Sequence, residues 1–193
     1  MTLLIAGLVL FIGAHLVPTL PRLRAALANG LGDGLYRISF SLVSGVGLVL
    51  VVLGYGDMRG LGRGNPELWM PPAWMKHVVF LLMIPAMVLL VAAYVPSRIR
   101  TGVRHPMLAA LKIWAFAHLL VNGDLASVLL FGSLLAYGVW DRISVKNRAS
   151  PGPLGDAKGG IGGDVTAVIV GLALYAFLLV WGHAWLIGVP LLT

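Results

Sequence analysis

Two histidines stand inside apolar helical runs, His15 in FIGAHLV and His118 in WAFAHLLV. An ionisable side chain within a hydrocarbon-spanning segment is costly, and by default it is a functional hypothesis. The competing account is a neutral imidazole hydrogen-bonded to a backbone carbonyl. Two such residues on different runs favour a shared ligand over two separate packing accidents. The chain has 5 histidines and no cysteine, so thiolate ligands and disulfides are excluded. No carboxylate lies close in sequence to either histidine, which leaves a hydrated catalytic metal poorly supplied. Two neutral imidazoles suit the axial positions of a haem, whose apolar macrocycle fits between helices. No residue pattern marks a general acid, base or nucleophile, so whether the chain is an enzyme stays open.

His15 lies a few residues from the end of its run, whereas His118 lies 12 residues beyond Pro106, about 18 Å along its helix. Upright helices therefore put the two at different depths. In that case His105 is the alternative partner for His15, and His77 or His183 for His118. Trp114, one turn before His118, shares its face and is placed either to wall a ligand pocket or to pack a core. Arg104-His105-Pro106, with Arg98, Arg100 and Lys112 nearby, has the chemistry to hold a phosphate or an anionic headgroup. A basic loop at a membrane boundary is also what anionic lipids and topology require.

The elements that position these residues are transmembrane helices. The chain has 193 residues, 59% hydrophobic and 11% charged, with mean hydropathy +0.94. Soluble domains are nearer 45–50% apolar and about 25% charged. The expected fold is all-α, a single domain over residues 1–193 with six transmembrane helices. They are Thr2–Leu20, read as a retained span and not a cleaved leader, Leu35–Tyr55, Trp74–Val95, Pro106–Val121, Asp124–Trp140 and Asp164–Gly188. Asn29–Gly34 reads as a turn, Pro85 as a kink, and Asn122-Gly123 as a hairpin turn with Asp124 as helix cap. The net charge of +7 comes from cations placed between apolar runs, so it reads as topology and not as a nucleic-acid surface. Arginines and lysines concentrate after the first, third and fifth spans. The positive-inside rule then places both termini outside, with Trp69, Trp74, Trp181 and Trp185 near the outer interface.

The stretch RHPMLAALKIWAFAHLLVNGDLASVLLFG, followed by DRISVKNR, resembles the NnrU family of bacterial membrane proteins. So do GAHLVPTLP, the Leu35-Tyr36-Arg37 entry to the second span, and the closing GHAWLIGVPLL. The resemblance covers essentially the whole chain, with a Gly/Pro-rich insert at Ala149–Gly163 as a departure. It implies a multi-pass protein of the bacterial inner membrane, linked to nitrite and nitric oxide metabolism. The family is also similar to the plastid 15-cis-zeta-carotene isomerase, a membrane protein containing haem b. That similarity implies His15 and His118 as haem ligands. Arg37, just inside the second span, is placed to snorkel to the interface or, more sharply, to partner a haem carboxylate. The similarity further implies either an isomerase-like enzyme with a redox-switched haem and a hydrophobic polyene-like substrate, or a factor that responds to redox state or nitric oxide. A weaker similarity, carried by Arg104-His105-Pro106, is to membrane methyltransferases and sterol reductases. It implies a soluble cofactor bound at that motif.

Overall fold

The computed structural model describes the chain apart from residues 62–63, 148–151, 153, 156 and 193. Arg63, Arg148 and the start of the insert at Ala149 lie outside the described residues. The described residues form helices and turns, with two isolated β-bridges, Glu67 to Asp124 and Ser97 to Gly160. In chain order the helices are α1 (Thr2–Leu16), α2 (Pro21–Leu31), α3 (Asp33–Leu61), α4 (Met75–Ala92), α5 (Arg98–Val103), α6 (Pro106–Val121), α7 (Leu125–Ser144), α8 (Ile161–Phe177) and α9 (His183–Ile187). A 3₁₀ turn at Val17–Thr19 follows α1, and a π-helical turn at Leu178–Gly182 joins α8 to α9.

Five segments are long and apolar enough to cross a bilayer: Thr2–Thr19, Asp33–Gly60, Met75–Ala92, Leu125–Ser144 and Ile161–Ile187. The helix Pro106–Val121 is apolar but has 16 residues, about 24 Å of rise against a hydrocarbon core of about 30 Å. These are the helices of a membrane protein. Their outward residues, Leu42 and Val52 among them, are more than 60% exposed, an arrangement that favours contact with acyl chains over water.

Helix boundaries follow local chemistry. Pro18 and Pro21 lack the N–H that would continue α1, so the chain tightens and leaves the helix at Leu20. The expected turn at Asn29–Gly34 shrinks to one residue. Gly32, at φ 79° and ψ 150°, separates α2 from α3, in a conformation open essentially to glycine alone. α3 therefore starts earlier and ends later than the expected Leu35–Tyr55. α4 continues through Pro85.

The chain divides into two compact units. The first comprises Met1–Ala73 and His118–Ala149, the second Trp74–Ala117 and Ser150–Thr193. In the first, α1 packs along α3, with α7 against both. A methyl added at Gly54 would sit 2.3 Å from Leu4 N, one at Gly7 2.5 Å from Val51 N, and one at Gly47 2.6 Å from Phe11 N. These three contacts fix an antiparallel register. Leu4 faces Gly54, Gly7 faces Val51 and Phe11 faces Gly47, so Ala14 and His15 face Ser44 and Val43. The core beside this seam is Leu4, Leu8, Val51, Met58 and Ala126.

In the second unit α4 packs on α8, and the short α5 docks at the start of α8. Ser97, fully buried, caps α5 by accepting from Arg100 N at 3.1 Å. Asp164 Oδ1 accepts from Ile99 N at 3.0 Å. The Arg100 guanidinium donates to the carbonyl oxygens of Ala157 and Gly155.

Candidate functional site

His15 is the penultimate residue of α1, half-buried and enclosed by aromatic rings. The ring centroids of Phe11, Phe40 and Tyr137 lie 4.3, 5.2 and 5.9 Å from that of His15. They come from α1, α3 and α7. Nδ1 lies 2.7 Å from the carbonyl oxygen of Phe11. A carbonyl only accepts, so Nδ1 carries the proton in this contact and the neutral ring keeps its lone pair on Nε2. That is how a metal-binding histidine is commonly oriented, with one nitrogen tied to a carbonyl and the other left for the metal.

His118 sits in the last turn of α6, its ring stacked on Phe131 with centroids 4.7 Å apart and planes at 29°. Its carbonyl accepts from both Asn122 N and Asn122 Nδ2, at 3.0 and 2.8 Å. Phe131 in turn meets the edge of Tyr55 at 6.2 Å. His15 and His118 thus belong to the same unit and rest against the same helix, α7. Their aromatic contacts, Tyr137 and Phe131, are six residues apart, about 9 Å of axial rise.

Beyond His118, the N-terminal end of α7 is closed by a polar network. Asp124 is the helix cap and only 5% exposed. Its Oδ1 accepts from Ser127 N and Asn65 Nδ2, each at 3.0 Å, and its Oδ2 accepts from Ser127 Oγ at 2.7 Å. With Ser127 Oγ donating to Asp124, the hydrogen of the Tyr55 hydroxyl is the one shared in its 2.9 Å contact with Ser127. Arg59 donates to Tyr55 at 3.2 Å. The loop before α4 is tied down by backbone bonds as well, Leu68 N to Gly123 O at 2.8 Å and Leu125 N to Pro66 O at 3.0 Å. A side chain at position 123 would strike the Trp69 carbonyl, so Gly123 is needed there for close approach as well as for the turn. Burial alone pushes the Asp124 carboxyl up. The hydrogen bonds from Ser127 and Asn65 and the charge of Arg59 outweigh it, holding the carboxyl below its ordinary value.

Among the described residues, Tyr36 Oη and Ser44 Oγ in the first unit are buried without a hydrogen-bond partner. Both are on α3, one turn to either side of Phe40, and so on the stripe that meets His15. Orphaned buried polar atoms are uncommon, and each calls for an explanation such as an absent ligand. Ser44 stands at the level of His15 in the α1–α3 register. Tyr36 lies two turns further along, where the apolar run of α1 has ended.

These residues fit a haem in chemistry. One imidazole presents a free Nε2 from an aromatic enclosure, a second rests against the same helix, α7, and polar atoms wait for partners along the adjoining face. Among the described residues no group of three or more His, Asp or Glu is placed to hold a bare metal ion. The pair is not a closed clamp, because two nitrogens on one metal stand about 4 Å apart, twice an ordinary metal–imidazole bond.

The other expected residues are dispersed. Arg37 is exposed, next to Tyr36 on α3. Trp114, His105 and Arg104 belong to the second unit. Arg104 is exposed and holds φ 64° and ψ −43°. The bond from His105 N to Val103 O, 2.8 Å, closes around it a classic γ-turn, which is rare and strained for any residue with a side chain. Reading by sequence missed Phe40, Tyr137, Phe131 and the Asp124 network, all brought in by long-range packing. Ser44 carried no signal of its own, and Tyr36 was noticed only as part of a motif.

Neither a curated protein nor a solved structure matches the chain. The family model described as NnrU protein matches residues 3–191, which takes in His15, His118, the orphaned hydroxyls of α3 and the strained basic turn. With nearly its whole length matched, the chain belongs to the NnrU family.

Proposed function

We propose that the protein is a haem b-binding membrane protein, with the haem held in the first unit by His15 and His118. The observation that carries this reading is His15, its tautomer set by the Phe11 carbonyl and its Nε2 lone pair left for a ligand. The orphaned Ser44 hydroxyl at the same level supports it. Phe11, Phe40 and Tyr137 wall the imidazole on three sides. His15 is the anchoring ligand. His118, whose contact on α7 is offset by about 9 Å from that of His15, is the second ligand. A bound haem supplies reversible one-electron chemistry and a binding position for a small gas such as nitric oxide.

In this reading the chain has six spans, both termini on the periplasmic side of a bacterial inner membrane, and a role connected with nitrite and nitric oxide metabolism. Whether it converts a hydrophobic polyene-like substrate, as an isomerase-like enzyme, or responds to redox state or gas turns on one property: whether reduction frees an axial position.

The test is the visible spectrum of the detergent-purified protein, ferric, then ferrous, then with nitric oxide. The expected result is a Soret band and sharp reduced α and β bands that nitric oxide abolishes. His15→Ala loses the haem, whereas His118→Ala retains it with an altered spin state. A protein that stays colourless after haem is offered overturns the proposal.

A second reading is a methyltransferase- or reductase-like enzyme that binds a soluble anionic cofactor at Arg104-His105-Pro106. It is favoured by the strained γ-turn, where a glycine would relieve the backbone but an arginine stands with its side chain exposed. Its mark is a nucleotide-type cofactor whose binding Arg104→Ala abolishes.

A further inference from the structure

The buried hydroxyl of Tyr36 has no partner among the described residues, and its position says what kind of partner is missing. Phe40, whose ring meets His15, is the next residue along the same stripe of α3. The register set by Leu4–Gly54, Gly7–Val51 and Phe11–Gly47 places Val43 opposite His15, and Tyr36 lies seven residues back along α3. Tyr36 is therefore about 10 Å from the level of His15, in the direction of the 3₁₀ turn that ends the apolar run. Ser44, the other orphan, is level with the imidazole. The α3 stripe thus reads, from its α2 end toward Gly47, as a hydroxyl, an aromatic wall and a second hydroxyl, with a metal-ready nitrogen opposite the last.

A flat ligand lying along this stripe from His15 would be apolar over Phe40 and would need an acceptor at Tyr36. A phenol donates one hydrogen bond, and a donor near the end of a hydrophobic segment suits an anionic acceptor that must stay near the boundary. Arg37, exposed and adjacent, adds a positive charge at that level. We infer that Tyr36 Oη is the hydrogen-bond donor to a carboxylate of the bound porphyrin, and so fixes which edge of the macrocycle faces the α2 end of the unit. This rests on the haem reading of the same site and adds the residue that orients the ligand. Tyr36 acts here as a binding and positioning residue and is given no chemical step.

The experiment compares two probes, iron protoporphyrin IX and its dimethyl ester, on the full-length protein and on Tyr36→Phe, which keeps the ring and its packing. Esterification removes the anionic acceptor and leaves the iron and the macrocycle unchanged. The expected result is that Tyr36→Phe weakens binding of the free acid about ten- to hundredfold, the weight of one hydrogen bond to a charged group. The dimethyl ester should bind the variant and the unaltered protein equally. The carboxylate bending modes in the resonance Raman spectrum should shift in the variant, while the iron–histidine signature stays. Equal loss of affinity for both probes makes Tyr36 a packing residue and overturns the inference, as does no loss for either. If the unaltered protein binds neither probe, the haem reading itself fails. His15→Ala, losing both probes alike, reports on that reading separately.

Discussion

Asp124 shows how much one residue can hold in this chain. It caps α7, and its carboxylate also receives Ser127 Oγ and Asn65 Nδ2 at near-complete burial. The carboxyl titrates below its ordinary value of about 3.9, because the hydrogen bonds and the Arg59 charge outweigh burial. A carboxyl depressed in the folded state contributes stability that is fully present above the unfolded value and is lost as pH falls through the folded one. The first unit should therefore keep a constant unfolding midpoint between pH 8 and 5 and lose stability below about pH 4. Asp124→Asn should cost about 1–3 kcal/mol at neutral pH, since it replaces an ionic acceptor and leaves Ser127 or Asn65 short of a partner. It should also flatten the acid limb, as denaturation in mixed micelles across the pH series would reveal. An unchanged acid limb in the variant would mean that other carboxylates govern it. Sequence reading did place Asp124 at a cap, because Asn-Gly-Asp before an apolar run is a local signal. It gave no hint of Tyr55, Ser127 or Asn65, whose partnership depends on how α3 and the loop after it return to α7.

At the scale of elements, the α1–α3 seam decides where His15 stands. Gly7, Gly47 and Gly54 let two backbones approach until a methyl on any of them would lie 2.3–2.6 Å from a main-chain nitrogen. In a membrane, where apolar side chains gain little by leaving lipid, this close packing is a principal source of helix affinity. Gly54→Ala or Gly47→Ala must push α1 away, because the obstructing atoms are backbone and cannot rotate aside. Each should destabilise by about 1–3 kcal/mol, the usual effect of overpacking, and loosen His15 with it. Gly45→Ala is the control, since a methyl there meets nothing. It should be neutral or slightly stabilising, as alanine is the better helix former. Similar losses at positions 45 and 54 in the same denaturation assay would show that helix propensity, not interhelical contact, sets the effect. Hydropathy made the spans legible because lipid selects for continuous apolar runs. It concealed α2, where PRLRAALANGL mixes arginines and glycine among short apolar residues, and α5, which carries two arginines in six residues. It also concealed the seam, because glycine seven residues from glycine in an apolar run looks like any other composition until a partner helix is known.

Over the whole molecule, the number of crossings turns on α6, which at 16 residues falls short of a full bilayer by length alone. Hydrogen bonds at the two ends of the helices bear on it more strongly than hydropathy does. Ser97 bridges to Gly160 and Arg100 donates to Ala157, so the start of α5 and the segment before α8 belong at one membrane face. Between them the chain contains α6 and α7. If α7 crosses, α6 must cross as well, or the two segments would be on opposite sides. The bridge from Glu67 to Asp124 and the bond from Leu68 N to Gly123 O impose the same parity on α4 and α6. Since α1 runs antiparallel to α3 and Leu4 packs with Ala126, the N-terminus shares the face of Asp124. Because the chain has no cysteine, single introduced thiols report their side cleanly. Met70→Cys should react with an impermeant maleimide on intact cells, whereas Thr101→Cys and Lys158→Cys should react only after the membrane is opened. The depth of His118 depends on this outcome, because only a crossing α6 carries it into the hydrocarbon beside Phe131. Labelling of Thr101→Cys and Lys158→Cys from opposite sides would leave α6 as a re-entrant segment, reduce the count to five and remove the basis for pairing His118 with His15.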